Sequence, residues 1–129
     1  MAEISMMQQL ELMQASLLQR PHHLRMGALF SQTVLLEVDE DEFYLRFEKG
    51  ALVDIQPGPS RKIAWRFAFR TNLTALQEFW QRYPKPGYHD IFGLVKINQG
   101  QIDGDILELV KNLRFFKEFM ALPRAGSST

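Results

Sequence analysis

Chemistry in this chain would start from its histidines and their acidic neighbours. His22 and His23 are adjacent, so in most backbones their rings point apart. They lack the i, i+4 spacing that sets two imidazoles on one helical face for a metal. His89-Asp90 is the better-formed pair, because a carboxylate beside an imidazole can orient it for general acid–base work. The plainer reading of all these histidines is a surface or loop position. The chain has no cysteine, which excludes disulfides, thiolate zinc sites and cysteine nucleophiles. A metal would then need His with Asp or Glu, and no such set converges along the sequence; no metal and no cofactor are expected. Asp103-Gly104-Asp105 lacks the rest of a calcium-loop pattern, and a helix-capping role accounts for Asp105. Ser5, Ser16, Ser31 and Ser60 have no G-x-S-x-G context, and no phosphate-binding glycine loop is present.

Composition narrows the classes further. At 129 residues one domain is expected, residues 1–124, followed by a flexible tail over 125–129 rich in glycine and serine. Fifteen Lys and Arg balance fifteen Asp and Glu, which argues against a general nucleic-acid binder, since that needs surplus cations. Glu3, Gln8, Gln9 and Glu11 interrupt the N-terminal apolar run, so it does not read as a signal peptide. A cytoplasmic protein is the expectation.

The elements that would position any site follow from periodicity. Glu3 to Gln19 reads as a helix with a Met6, Leu10, Met13, Leu17 stripe, stopped by Arg20-Pro21. A short helical turn follows through Leu24, Met26 and Leu29. Thr33–Val38, Phe43–Glu48 and Ala51–Ile55 alternate as strands, with Lys49-Gly50 as a tight turn. A fourth strand, Arg61–Arg70, would carry Ile63, Trp65, Phe67 and Phe69 on one face and Lys62, Arg66 and Arg70 on the other. Thr71-Asn72 would cap a helix through Leu73, Leu76, Phe79, Trp80 and Tyr83. His89–Ile97 reads as helical turns and Gly100–Gly104 as a short edge strand. Asp105 would cap a final helix, Ile106 to Leu122, apolar on two sides. Four consecutive strands predict an antiparallel meander. The fold class is α+β: a mostly antiparallel twisted sheet of about five strands with helices packed on one face. On its outer face, Arg46, Arg66 and Arg70 would pair with acids across strands or meet an anionic partner.

The segment Gly100-Gln101-Ile102-Asp103-Gly104-Asp105-Ile106, with the meander Phe43–Gln56 turning at Lys49-Gly50, resembles the type-two sterol carrier protein family of lipid-transfer proteins. The order of elements resembles that family over nearly the whole chain. The segment is shorter than the family's by one strand dipeptide. The resemblance implies a tunnel between sheet and helices that holds a fatty acyl chain, a sterol or a similar lipid.

Two readings of the bulky apolar residues stand side by side. From composition alone, Trp65, Phe67, Phe69, Leu76, Phe79, Phe92, Leu109, Leu113 and Phe116 fill a core; with the resemblance, they line a ligand cavity. The expected function is therefore non-catalytic carriage of an apolar small molecule. The last helix or the methionine-bearing first one would be the cover; a transient membrane surface or a second copy would be a further partner. Two alternatives remain. One is a small cone-shaped enzyme of the steroid-isomerase kind using His89, Asp90, Asp54 or Tyr88. The other is a protein-interaction module.

Overall fold

The computed structural model describes residues 5–124; the expected tail and the expected helix start at Glu3 lie outside them. Helix α1, Met6–Leu18, opens on a capping box in which Ser5 Oγ accepts from the Gln8 amide and the Gln8 side chain accepts from the Ser5 amide. Leu10, Met13 and Leu17 are its buried stripe, and Pro21 opens the short α2, Pro21–Met26.

The strands β1 (Thr33–Val38), β2 (Asp41–Glu48) and β3 (Ala51–Pro57) form the expected antiparallel meander. The β2–β3 turn places Lys49 and Gly50 at positive φ, 49° and 85°, a conformation that glycine adopts without cost. The expectation of a fourth antiparallel strand beside β3 is not met. β4 is only Phe67–Thr71 and runs parallel to β1, with Val34 opposite Phe67 and Val38 opposite Thr71. The edge strand β5, Gly100–Gly104, is antiparallel to β4, giving the order β3-β2-β1-β4-β5.

To pass from β3 at one edge to β4, the chain crosses the outer face of β2 and β1 as a strap over residues 58–66. Gly58 N donates to Glu42 O, Tyr44 Oη donates to Ser60 O at 2.9 Å, and Arg66 N donates to Thr33 O. Ile63 and Trp65 pack there against Leu35, Tyr44 and Ala68. So Trp65 and Ile63 do not share a face with Phe67 and Phe69, as their period-two spacing predicts. Residues 61–66 are not a strand, and alternation fixes a side only where the backbone is extended.

Helix α3, Leu73–Phe79, is capped by Asn72 and ends at Trp80, so Tyr83 is exposed rather than on its buried face. Helix α4 is Ile91–Lys96. The final helix is two, α5 (Ile106–Lys111) and α6 (Leu113–Met120), broken at Asn112. There the Asn112 Nδ2 donates back to the Glu108 carbonyl at 3.0 Å, a side-chain bond that competes with the helical ladder. Leu109, Phe115, Phe116, Phe119 and Met120 are buried, but Ile106, Leu107 and Val110 are exposed, so α5 turns part of its apolar surface away from the core of the described residues. No helix among the described residues is long and apolar enough to cross a membrane.

Candidate functional site

The inner face of the sheet and the helices over it enclose one apolar cluster. β4 sends in Phe67 and Phe69, α3 sends Leu76 and Phe79, α5 sends Leu109 and α6 sends Phe116; all are buried. Phe92 on α4 and Leu113 on α6 are half-buried and pack against the same cluster. These are eight of the nine expected site residues, brought together from elements far apart in sequence. Trp65, on the strap, belongs to the outer cluster.

Four further rings, outside the nine expected site residues, lie at the centre. Phe30, Phe47, Phe115 and Phe119 are fully buried. Phe67 meets Phe116 edge-on at 5.2 Å between centroids, Phe47 meets Phe119 at 5.1 Å, and Phe30 lies 5.3 Å from Phe47 and 5.5 Å from Phe115. Such tilted and edge-to-face pairs contribute about 0.5–1.5 kcal/mol each beyond area burial. Phe47 alternates with Phe43 and Leu45, which was the available signal. Phe30 carries no periodic signal; it is fixed by the Gly50 amide donating to its carbonyl.

The cover over this cluster is lightly polar. α1 lies along β3 on Leu10, Met13 and Leu17, and Gln14 Nε2 donates to the Leu52 carbonyl at 2.7 Å. A recess of about 120 Å³ opens between α1 and the chain beyond α6, lined by Gln9, Leu12, Met13, Ser16, Leu122 and Pro123. Met13 belongs both to that recess and to the core.

The polar residues proposed for chemistry do not converge. Asp90 Oδ1 accepts from the Gly93 amide at 2.8 Å as the α4 cap, and its other oxygen pairs with Lys117 Nζ at 3.1 Å. Burial acts to raise the Asp90 pKa, yet the Gly93 amide, the Lys117 ammonium and the Phe92 amide outweigh it and hold the carboxyl below its usual range. His89 is exposed, and its carbonyl accepts from Arg124 Nη2. Asp54 lies on β3, at the sheet edge opposite β5, against which α4 packs. Among the described residues no group of three or more His, Cys, Asp or Glu could hold a metal ion.

His23 corrects the expectation of a surface histidine. It is 4% exposed, its Nε2 lies 3.0 Å from the Phe115 carbonyl, and its ring meets the Phe115 ring edge-on at 5.0 Å. Nε2 must therefore carry the proton. Burial lowers its pKa, against the opposing pull of the Phe115 carbonyl and Glu118. His23 thus ties α2 to α6.

The outer-face arginines are paired. Arg70 donates to Glu37 and Asp103, each at 2.7 Å, Arg66 pairs with Asp105 at 3.0 Å, and Arg46 with Glu48. Asp105 also caps α5, accepting from the Glu108 amide, as its spacing predicts.

No family model and no curated protein sequence matches the chain. Solved structures do. Sterol carrier protein 2 superposes with a TM-score of 0.69 at 13% identity, covering 89% of this chain and 92% of that one. A conserved hypothetical protein from Thermus thermophilus gives a TM-score of 0.69 at 12% identity, covering 95% and 88%. The UbiJ-SCP2 ubiquinone synthesis protein gives 0.61 at 16% identity, covering 94% and 96%. At such identities the likeness establishes the fold: this chain has the sterol carrier protein 2 fold, α+β with a five-stranded, mostly antiparallel sheet.

Proposed function

Starting from that fold, we propose that the protein is a non-catalytic carrier of an apolar molecule, a fatty acyl chain, a sterol or a similar lipid. The ligand lies between the inner face of the sheet and the helices, against Phe67, Phe69, Leu76, Phe79, Leu109 and Phe116, with Phe92 and Leu113 at the margin. The observation that carries the reading is the likeness to sterol carrier protein 2 over 89% of this chain and 92% of that one, whose name is that of a sterol carrier.

The rings now touch one another, so a guest must part them. Binding gains roughly 25 cal/mol per Å2 of apolar ligand surface removed from water, offset by separating the packed rings and by ordering of the ligand. α1 is the element suited to yield. Its methionines adapt to changed surroundings, and the recess beside Met13 supports an entry on that side. The acid–base alternative draws no support from an Asp90 already committed to a cap and an ion pair.

Native mass spectrometry of gently purified full-length protein, followed by organic extraction, tests the proposal. It predicts an adduct of lipid mass, or uptake of offered oleate or cholesterol. A clean mass with no uptake of either overturns it.

A further inference from the structure

A second recess lies away from the apolar cluster. Because β1 and β4 are parallel, their carboxyl ends sit side by side, Val38 opposite Thr71. Beyond them the chain departs in opposite directions, into β2 on one side and into α3 and later β5 on the other. Where connections diverge over the ends of parallel strands, neither covers the gap, and a crevice is left that open sheets use for ligands. Here it has a volume of about 380 Å³ and is lined chiefly by Glu37, Asp39, Arg70, Asn72, Asn98 and Gln99.

Its groups are held in place before any ligand arrives. Arg70 Nη1 donates to Glu37 Oε1 and Arg70 Nε to Asp103 Oδ2, both at 2.7 Å. Asn72 Nδ2 donates to Gln99 Oε1 at 3.0 Å, and Asp39 Oδ2 accepts from the Leu73 amide. A guanidinium has five N–H donors and a carboxylate about four lone-pair sites, so the Arg70–Glu37 pair, which lines the crevice, retains both unused donors and unused acceptor sites. That arrangement matches a vicinal diol, whose adjacent hydroxyls each donate and accept.

The lining also sorts ligand classes. Two carboxylates and a guanidinium already shared by Glu37 and Asp103 disfavour an anion. Every side chain named is polar, which disfavours an apolar guest. An organic cation would leave the donors of Arg70, Asn72 and Gln99 unmatched and face the guanidinium charge. A neutral ligand with many hydroxyls uses donors and acceptors alike.

We propose that this crevice binds a small neutral polyhydroxylated molecule, of the sugar or cyclitol class, on the Arg70–Glu37 pair and the Asn72–Gln99 amides. The proposal stands apart from the apolar-ligand reading, and either can fail alone.

The test is a 1H–15N NMR titration of the full-length chain with methyl α-D-glucopyranoside and, separately, myo-inositol, with inorganic phosphate and spermidine as comparison ligands. With at least one polyol, saturable shifts are expected at the backbone amides of residues 98–101 and the side-chain amides of Asn72 and Gln99. Gln99→Ala, a half-buried position near the rim, should keep the fold and weaken binding about fivefold, the loss expected for one hydrogen bond. Arg70→Met should weaken it at least as much. No saturable shift with either polyol, or tighter binding of phosphate or spermidine, overturns the proposal. In a further arm, phosphatidylcholine vesicles with and without a neutral glycosylated diacylglycerol separate the sources. A general loss of amide signal only with the glycolipid, alongside saturable shifts with the free polyol, makes the polyol a lipid headgroup; saturable shifts with the free polyol and no such loss make it a free molecule.

Discussion

The two faces of the sheet are built on different physics. On the inner face, burial does nearly everything: phenyl rings from β2, β4, α6 and the segment after α2 meet tilted or edge to face, and the polar contribution is small. On the outer face, a strap roofs a small patch of Leu35, Tyr44 and Ala68, and beyond it polar side chains pair, among them Arg70 with Glu37 and Asp103 and Gln56 with Asp54. The difference teaches where to look for each kind of ligand. The inner face offers burial to an apolar guest, and the outer face offers oriented donors and acceptors to a polar one.

That contrast can be broken by mutation. Phe116→Ala removes a fully buried ring that touches Phe67 and Phe119, and should cost about 3–5 kcal/mol in urea unfolding. Trp65→Ala removes a larger ring from the outer patch, yet it is only half-buried, so about 1–2 kcal/mol is expected. A larger loss at Trp65 than at Phe116 would reverse the assignment of the faces.

Arg70→Met should cost about 1 kcal/mol and lose less at high salt, because its pairs are partly screened. Arg46→Met, whose pair with Glu48 is exposed on both sides, should lie within about 0.5 kcal/mol of wild type. Equal effects for the two arginines would mean that the Glu37–Arg70–Asp103 cluster is no more than surface decoration.

The α2–α6 contact sharpens the inner side through pH. The His23 pKa is depressed by burial, so between the folded value and the ordinary imidazole value near about 6.5 the unfolded chain binds the extra proton. Stability is therefore full above that ordinary value and is lost as pH falls through the window towards the folded pKa. Melting curves from pH 7.5 down to about 5 should show this decline, and His23→Gln should flatten it. An unchanged slope in the variant would assign the decline to other groups.

Much of this was legible locally. The stop at Pro21, the turn at Lys49-Gly50, and the caps at Asn72 and Asp105 depend on residues within a few positions of one another. The position of β4 was not. Its parallel partner lies more than thirty residues away, and alternation in 63–69 gives no information on where extended backbone begins. A clue was present in Val34-Leu35-Leu36, buried on both sides, because an unbroken apolar run marks a strand covered on both faces. The break at Asn112 and the burial of His23 were equally hidden, since each depends on a hydrogen bond that periodicity does not encode. Eight of the nine expected site residues share the inner cluster because helical and strand periods both register burial; Trp65 does not, because the strap carries it to the other face.

The central claim, an apolar guest between sheet and helices, is tested most directly by intermolecular NOEs from a saturating offered fatty acid such as oleate. NOEs are expected from the ligand methylenes to the rings of Phe67 and Phe116 and to the methyls of Leu76 and Leu109, with none to Trp65 or Tyr44. NOEs confined to Trp65 and Tyr44, or none to the protein at saturating ligand, would contradict it.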